Sequence, residues 1–291
     1  MRLYKHFTSQ EAIDRQYNVA ASFDDYAAYA EICARESEAT RRHLRFEPGL
    51  RYGPTVDETV DVFPAAEADA PLVVFIHGGY WQRPVTSREF SFVARELHAG
   101  GAAVAIPNYS LCPKVTIDEI VRQNRAALAW LHANAARFNA DAQRIVVCGH
   151  SAGGHLTAMM LCTDWSGEYD LPNDLVKAGL AISGLFDLRP FVYSWLQPKL
   201  QLTHQTIVRQ SPLFQVPGAR GGRRGPLVLA VGGEETEEFH RQASAFLSAW
   251  QDGDHEGRAA DIPGRNHFTV LYELLEPDSP LMRELLALTG A

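Results

Sequence analysis

Cysteine is scarce in this chain, and its spacing excludes the common cysteine-based frameworks. The 291 residues contain four cysteines, at positions 33, 112, 148 and 162, and no two of them form a C-x-x-C pair. The eleven histidines nowhere form an H-E-x-x-H pattern. Because zinc sites and disulfide scaffolds depend on such spacings, we expect no metal, no disulfide framework and no cofactor. Scattered cysteines are typical of a reducing compartment, so we expect a cytoplasmic protein.

Long apolar runs and an excess of positive charge are also missing. The longest apolar runs, residues 71–76 and 101–106, are far shorter than the roughly 18 residues that a membrane-spanning helix needs. The opening residues, MRLYKHFTSQEAIDRQ, contain no apolar segment like that of a secretory signal. Lys and Arg number 27 against 35 Asp and Glu, for a formal charge of -8. We therefore expect no secretory signal and no membrane or nucleic-acid partner.

What the chain does have is a regular alternation of predicted strands and helices. Short β-branched and aromatic runs predict strands, and helical spacing of apolar residues fills the segments between them. The predicted strands cover residues 60–63, 72–76, 103–106, 144–148, 178–182, 227–231 and 259–262. This alternation is typical of an α/β fold, with a mostly parallel sheet of about eight strands and helices on both faces.

The segments outside this alternation suggest how one domain, residues 1–291, is organised. Residues 1–45 predict a polar, helical N-terminal arm that carries several aromatic residues. Residues 184–225 contain no predicted strand, which is long for a connection and indicates an insertion or partial cap over the sheet edge. Within it, residues 218–225 predict an exposed, solvated loop whose arginines are Arg220, Arg223 and Arg224.

The first residue that carries chemistry is Ser151, in the G-x-S-x-G sequence of residues 149–153. The motif follows the predicted strand 144–148 and opens a predicted helix, which is the setting of a nucleophile elbow. Its glycines allow a strained turn, and the helix N-terminus favours a developing oxyanion. Because the same turn also fits a simple N-cap serine, the motif alone does not decide between the two interpretations.

A second motif, His77-Gly78-Gly79-Tyr80-Trp81, favours the catalytic interpretation. It comes directly after the predicted strand 72–76, where hydrolases of this architecture place an oxyanion donor. We assign the oxyanion hole to the backbone amides of Gly79, Tyr80 and Ala152. His77 is interpreted as a structural residue that holds the loop, and Trp81 as a wall of the substrate pocket.

The acid of a catalytic triad should follow a late strand, after the serine and before the histidine. The predicted strand 227–231 is followed by Gly-Gly-Glu-Glu, so Glu235 is our candidate acid and Glu234 its rival. Asp187 also follows a strand, but one strand earlier than expected, and it stays a minority alternative.

The base of the triad should follow the last strand. His267, in the sequence Gly264 to Phe268, comes after the predicted strand 259–262 and precedes a helical run. His255 lies before that strand and His240 lies inside a predicted helix, so neither has the required position. In the resulting mechanism His267 takes the proton of Ser151, while Glu235 orients the imidazole.

Taken together, these motifs resemble the α/β-hydrolase superfamily and, within it, the arylformamidase (kynurenine formamidase) branch. The resemblance covers roughly residues 17–275 and rests on HGGYW at 77–81, GHSAGGHL at 149–156, SGLFDL at 183–188, EFHRQ at 238–242 and NHF at 266–268. It implies a Ser–acid–His triad on Ser151, Glu235 and His267. The vertebrate formamidases that the chain resembles carry aspartate at the acid position, so the choice between Glu235 and Glu234 stays open.

The resemblance also implies the substrate class. It suggests hydrolysis of N-formylkynurenine to kynurenine and formate, with an aromatic pocket wall for the leaving group formed by Trp81, Tyr80 and Phe186, helped by Tyr193 or Trp195. A general short-chain carboxylesterase is the alternative, because the fold does not determine the substrate. A catalytically inactive binding module is a third, remote interpretation. The expected partner is a small ester or amide, and a homodimer is a common assembly for such domains.

Overall fold

The computed structural model describes residues 2–21, 23, 25–218 and 221–290. Within these residues, eight strands form one sheet in the order β1-β2-β4-β3-β5-β6-β7-β8. The strands are β1 (Glu47–Arg51), β2 (Thr59–Phe63), β3 (Ala70–Ile76), β4 (Ala103–Pro107), β5 (Ala140–His150), β6 (Ala178–Ile182), β7 (Leu227–Gly232) and β8 (Gly257–Ile262). Strand β2 is antiparallel to β1 and β4, and the pairs from β4 through β3 to β8 are parallel.

The central strands are buried along their whole length, which explains their nearly continuous apolar sequences. Every residue of β3, β4 and β6 is buried, so both faces of the sheet are covered. The predicted α/β fold with a mostly parallel sheet is confirmed. Strand β1 was not predicted, because its sequence EPGLR contains Pro and Gly and is partly exposed, as suits an edge strand.

Helices fill the connections between the strands. They are α1 (Gln10–Tyr17), α2 (Tyr26–His43), α3 (Ala94–Ala99), α4 (Ile117–Asn134), α5 (Ala152–Cys162), α6 (Trp165–Tyr169), α7 (Gln197–Leu200), α8 (His204–Gln210), α9 (Glu237–Asp252) and α10 (Pro280–Leu288). Short 3-10 helices cover Ser87–Val93, Ala135–Phe138, Arg189–Tyr193, Pro212–Phe214 and Thr269–Leu275. No helix in the described part of the chain has the length and apolar character needed to cross a bilayer.

The N-terminal arm contains helices α1 and α2 and is hydrogen-bonded to the rest of the chain. The Tyr17 hydroxyl donates to Glu238 Oε2 at 2.7 Å, and Thr236 Oγ1 donates to the Gln16 carbonyl at 2.7 Å. Farther toward the N-terminus, the Tyr4 hydroxyl donates to Asp187 Oδ2 at 2.7 Å. These bonds hold α1 against α9, and they hold the residues before α1 against the segment that follows β6.

The segment 184–225 contains helices α7 and α8 and two of the 3-10 helices, and its described residues form no strand. Its arginine-rich loop differs in part from the prediction. Arg223 is exposed, but Arg224 is 8% exposed and its Nη1 donates to the Asn173 carbonyl at 3.0 Å. The prediction that Arg224 lies in a solvated loop is therefore wrong, because its side chain satisfies a backbone carbonyl inside the fold. Arg220 lies outside the described residues.

Candidate active site

Ser151 lies at the junction between β5 and α5, in a backbone conformation that side chains rarely adopt. Its φ and ψ are 58° and -117°, and its amide donates to the Ile182 carbonyl of the neighbouring strand at 2.8 Å. The turn is too tight for side chains on either side of it. A Cβ at Gly149 would lie 2.3 Å from the Gly153 carbonyl oxygen, and a Cβ at Gly153 would lie 1.9 Å from the Ile76 carbonyl oxygen. The glycines of the motif are thus required by close backbone contacts.

His267 contacts Ser151 directly. Its Nε2 lies 3.0 Å from Ser151 Oγ, which is hydrogen-bond distance. The loop after β8 is held by Asn266, whose Oδ1 accepts from the amides of Phe268 and Thr269, each at 3.0 Å. Behind the loop, His150 Nε2 lies 2.8 Å from the carbonyl oxygen of His267. The backbone of His267 is therefore fixed from two sides.

Glu235 is the carboxylate that contacts the histidine. Its Oε2 lies 2.7 Å from His267 Nδ1, and its side chain is fully buried. The other oxygen, Oε1, accepts from the Ser183 hydroxyl at 2.5 Å and from the Gly232 amide at 2.8 Å. Glu234, the rival candidate, is exposed.

Asp187, the minority candidate for the acid, is used elsewhere in the fold. Its carboxylate accepts from Tyr4 and from the Arg189 side chain at 2.8–2.9 Å. Burial raises the pKa of this carboxyl, but the hydrogen bonds from Arg189 and Tyr4 and the charge of Arg189 together outweigh burial, so the pKa lies below its ordinary value. Among the described carboxylates that we considered, Glu235 alone therefore has the position that a triad acid needs.

The loop after β3 lies directly against the serine. A Cβ at Gly78 would lie 3.1 Å from Ser151 Cβ, so the backbone of the loop lies directly beside Ser151. Gly79 and Tyr80 have positive φ values of 114° and 49°. No hydrogen bond from the amides of Gly79, Tyr80 or Ala152 to another described residue is present. These three amides are the donors that we assigned to the oxyanion hole, and the geometry leaves them available for a ligand.

His77, at the start of the same loop, is fully buried and has a structural environment. Its Nδ1 lies 2.9 Å from the Gly78 carbonyl, and its ring stacks on Tyr109 with centroids 4.3 Å apart. Burial lowers the pKa of His77 to about 4, so its ring is neutral near pH 7.

A cavity of about 530 Å³ opens over Ser151 and His267. Its walls come from the N-terminal arm, the loop after β3, the insertion and the loop after β8. The lining residues are Asn18, Val19, Ala20, Tyr26, Tyr29, Gly78, Gly79, Tyr80, Gln82, Arg83, Pro84, Val85, Phe90, His150, Ser151, Trp195, Pro198, Lys199, His267 and Phe268. This wall is mainly apolar and aromatic, and Arg83 and Lys199 are its two positively charged side chains.

Two of the three residues that we expected to bind substrate do not line this cavity. Trp81 is 0% exposed and packs edge-on against His155, with ring centroids 5.0 Å apart. Phe186 is 1% exposed and stacks on Phe246 at 4.6 Å. Both predictions are corrected, because these rings belong to the core. Tyr80 does line the cavity.

Other parts of the wall were missed or left unassigned by the sequence analysis. Trp195, named there as a helper, lines the cavity, whereas Tyr193 is not among its lining residues. Tyr26 and Tyr29 reach it from the arm, whose aromatic content was the only signal available in the sequence. The contribution of Phe268 follows from its position next to His267.

Comparisons with known proteins agree with this architecture. The family described as BD-FAE matches residues 60–181. The kynurenine formamidase of Danio rerio is 30% identical over an alignment of 293 positions that covers 97% of each chain. That of Salmo salar is 30% identical over 243 residues, covering 82% of this chain and 80% of the relative.

The chain also resembles solved structures over nearly its whole length. A Silicibacter protein, provisionally described as a thioesterase, is 31% identical with a TM-score of 0.81, covering 96% of this chain and 99% of its own. An esterase of Pyrobaculum calidifontis is 18% identical with a TM-score of 0.71, covering 97% of each chain, and this likeness concerns the fold alone. The 30% identity to the Danio enzyme extends over nearly the whole length of both chains. The protein is a hydrolase, and its chain belongs to the kynurenine formamidase family of the α/β-hydrolase superfamily.

Proposed function

We propose that this hydrolase cleaves a small acyl group from an aryl formamide, with N-formylkynurenine as the first substrate to test. The observation that carries the proposal is the continuous set of contacts from Ser151 Oγ through His267 to Glu235, at the base of an aromatic cavity. The names of the Danio and Salmo relatives support the choice of a formamide.

In the proposed mechanism His267 Nε2 removes the proton of Ser151 as Oγ attacks the formyl carbonyl carbon. Glu235 accepts a hydrogen bond from Nδ1–H and stabilises the imidazolium that forms. The amides of Gly79, Tyr80 and Ala152 bind the tetrahedral oxyanion. His267 then protonates the departing aryl amine as the C–N bond breaks, which leaves a formyl ester on Ser151. A water molecule, deprotonated by His267, hydrolyses this ester and releases formate.

The aromatic wall supports an aryl leaving group. Tyr26, Tyr29, Phe90, Trp195 and Phe268 all line the cavity. Aromatic faces and edges bind a second aromatic ring favourably at centroid distances of roughly 4.5–7 Å. A planar aniline therefore fits the chemistry of this wall.

A short-chain carboxylesterase is the second candidate function. The esterase of Pyrobaculum calidifontis shares the fold, and the same serine chemistry cleaves esters. An inactive binding module is disfavoured by the contacts around Ser151, because a protein without catalytic activity has no need for them.

The test compares kcat/KM for N-formylkynurenine with kcat/KM for p-nitrophenyl acetate and butyrate. Ser151→Ala is the blank, with circular dichroism and thermal unfolding as controls for its fold. A strong preference for the formamide supports the arylformamidase proposal, and a strong preference for the esters supports the alternative. Unchanged turnover in Ser151→Ala would contradict both candidate functions, because it would show that Ser151 takes no part in the reaction.

We further propose a reducing, cytoplasmic setting and a homodimeric state. All four cysteines are free thiols, and Cys33, Cys112 and Cys148 are buried, which suits such a compartment. Sedimentation equilibrium of the purified protein tests the dimer, and a single monomer mass at micromolar concentration would exclude it.

A further inference from the structure

One positively charged side chain in the cavity wall has no charged partner. Arg83 is half-buried and lines the cavity. Its guanidinium lies over the Tyr26 ring, 4.2 Å from the centroid, and forms no ion pair with any described residue. Arginines elsewhere in this acidic chain commonly pair with carboxylates, as Arg122 does with Glu58. Arg83 is therefore free to bind an anion that is not part of the protein.

The rest of the wall favours an anion as well. Among the cavity-lining residues that the structure describes there is no aspartate or glutamate. Lys199 adds a second positive charge from the insertion, and its exposed side chain has no carboxylate partner in the described chain. The nearest acid of the mechanism, Glu235, is fully buried behind His267. This local positive charge is opposite in sign to the formal charge of -8 on the whole chain.

Arg83 is placed to bind a substrate group that is distant from the reacting carbonyl. Its amide donates to the Gly79 carbonyl at 2.8 Å, so Arg83 lies one turn after Gly79 in the loop that follows β3. The ring beneath its guanidinium, Tyr26, lies 5.1 Å from Phe268, and Phe268 lies 5.5 Å from the His267 ring. Two aromatic rings thus separate the guanidinium from the base. An anion bound there would be remote from the scissile bond, and with a small acyl group only the leaving group reaches that far.

We infer that Arg83 is a specificity-determining residue that binds a carboxylate carried by the leaving group, remote from the scissile acyl bond. The planar guanidinium matches a carboxylate through paired N–H donors, and its stacking on Tyr26 limits the orientations it can adopt. Lys199 contributes positive charge at the rim. The inference rests on the proposed hydrolysis of an aryl acyl group and adds the charge of the preferred substrate.

The experiment uses two pairs of substrates that differ only in charge. The formamide pair is 3-(2-formamidophenyl)propanoate, with a free carboxylate, and the neutral 3-(2-formamidophenyl)propanamide. The ester pair is 3-(2-acetoxyphenyl)propanoate, with a free carboxylate, and the neutral 3-(2-acetoxyphenyl)propanamide. For each pair the ratio of kcat/KM, anionic over neutral, measures charge selection independently of how well the acyl group is cleaved.

The variants are Arg83→Gln, Arg83→Lys and a control, Arg88→Gln. Arg83→Gln should lower the anionic-to-neutral ratio by about 10-fold to 100-fold, mainly through KM, because a charge-assisted hydrogen bond is lost. Arg83→Lys should retain part of the ratio, since the charge stays but the paired donors do not. Arg88 is 70% exposed and does not line the cavity, so Arg88→Gln should leave the ratio unchanged.

A structural role for Arg83 would give a different result. If the side chain only supports Tyr26 and the arm, Arg83→Gln would lower kcat/KM for the anionic and neutral substrates equally, and the ratio would not move. That outcome would overturn the inference. If the formamides are not cleaved but the ester pair still shows a ratio that depends on Arg83, the proposed formamidase activity fails while the carboxylate site stands.

Discussion

The Ser183 hydroxyl donates a 2.5 Å hydrogen bond to Glu235 Oε1, the carboxylate oxygen that does not contact His267. The two residues follow adjacent parallel strands, β6 and β7. Ser183 has a positive φ of 51°, and the Gly232 amide donates to the same oxygen at 2.8 Å. Two donors thus hold Oε1, which leaves Oε2 to accept from the imidazole. A glutamate side chain has more rotational freedom than an aspartate, and these donors restrict it.

Removing this hydroxyl should weaken catalysis without abolishing it. We expect Ser183→Ala to lower kcat about tenfold with little change in KM, because the bond orients the acid and contacts no substrate. The measurement is steady-state kinetics on the preferred substrate. Glu235→Gln and the double variant complete a mutant cycle.

The double variant distinguishes a positioning role from a general structural one. If Ser183 acts through Glu235, the double variant should be no slower than Glu235→Gln alone, since the effects of residues that act as a unit are not additive. A further tenfold loss in the double variant would show that Ser183 acts independently of the acid.

The two adjacent glutamates should differ sharply on substitution. Glu235→Gln should lower kcat by about 100-fold to 10000-fold, because it removes the charge that stabilises the imidazolium. Glu234→Gln should change kcat/KM by less than about twofold, because that side chain is exposed and substitutions at such sites have small effects. Comparable losses in both variants would contradict the assignment of Glu235 as the acid.

Topology explains why the three catalytic candidates could be located from sequence. Ser151, Glu235 and His267 each follow a strand in the parallel part of the sheet, and the carboxyl ends of parallel strands meet at the same edge. The direction of a side chain within a loop is not determined in this way. Trp81 follows two residues with positive φ, and its own φ is 57°, so its ring packs into the core.

Contacts between distant segments could not be predicted from the sequence either. Tyr26 and Tyr29 reach the cavity because α2 packs against the 3-10 helix Ser87–Val93, through bonds such as that from Ser37 Oγ to the Glu89 carbonyl at 2.9 Å. Neither hydrophobic periodicity nor motif spacing contains that information. Ser183 was likewise part of a recognised motif, but its contact with Glu235 depends on the lateral order of strands β6 and β7.

The backbone of the oxyanion loop offers a test that separates strain from function. Gly79 has a φ of 114°, and a Cβ there would lie 3.2 Å from both Arg83 Cβ and Val85 Cγ2. Gly101 has a φ of 86° and open space around it. We expect each Gly→Ala variant to lose about 1–3 kcal/mol in the free energy of unfolding. Only Gly79→Ala should also lose about 100-fold in kcat, because it displaces an oxyanion donor. Equal kcat values for the two variants would contradict the assigned hole.

Three buried histidines should make the stability depend on pH well above the range where carboxylates titrate. Burial lowers the pKa of His77 and His155 to about 4, and burial together with nearby His267 lowers that of His150 well below its usual range. Because these histidines have a pKa of about 6.5 in the unfolded chain, the unfolded chain binds protons first, so stability is complete above that pH and falls as the pH drops toward about 4. Each histidine should contribute a slope of up to about 1.4 kcal/mol per pH unit, measurable by urea unfolding. His155→Gln should reduce this slope by the contribution of one histidine, whereas His204→Gln, at an exposed position, should leave the slope unchanged. A slope that is identical in the parent and in His155→Gln would show that the buried ring does not resist protonation.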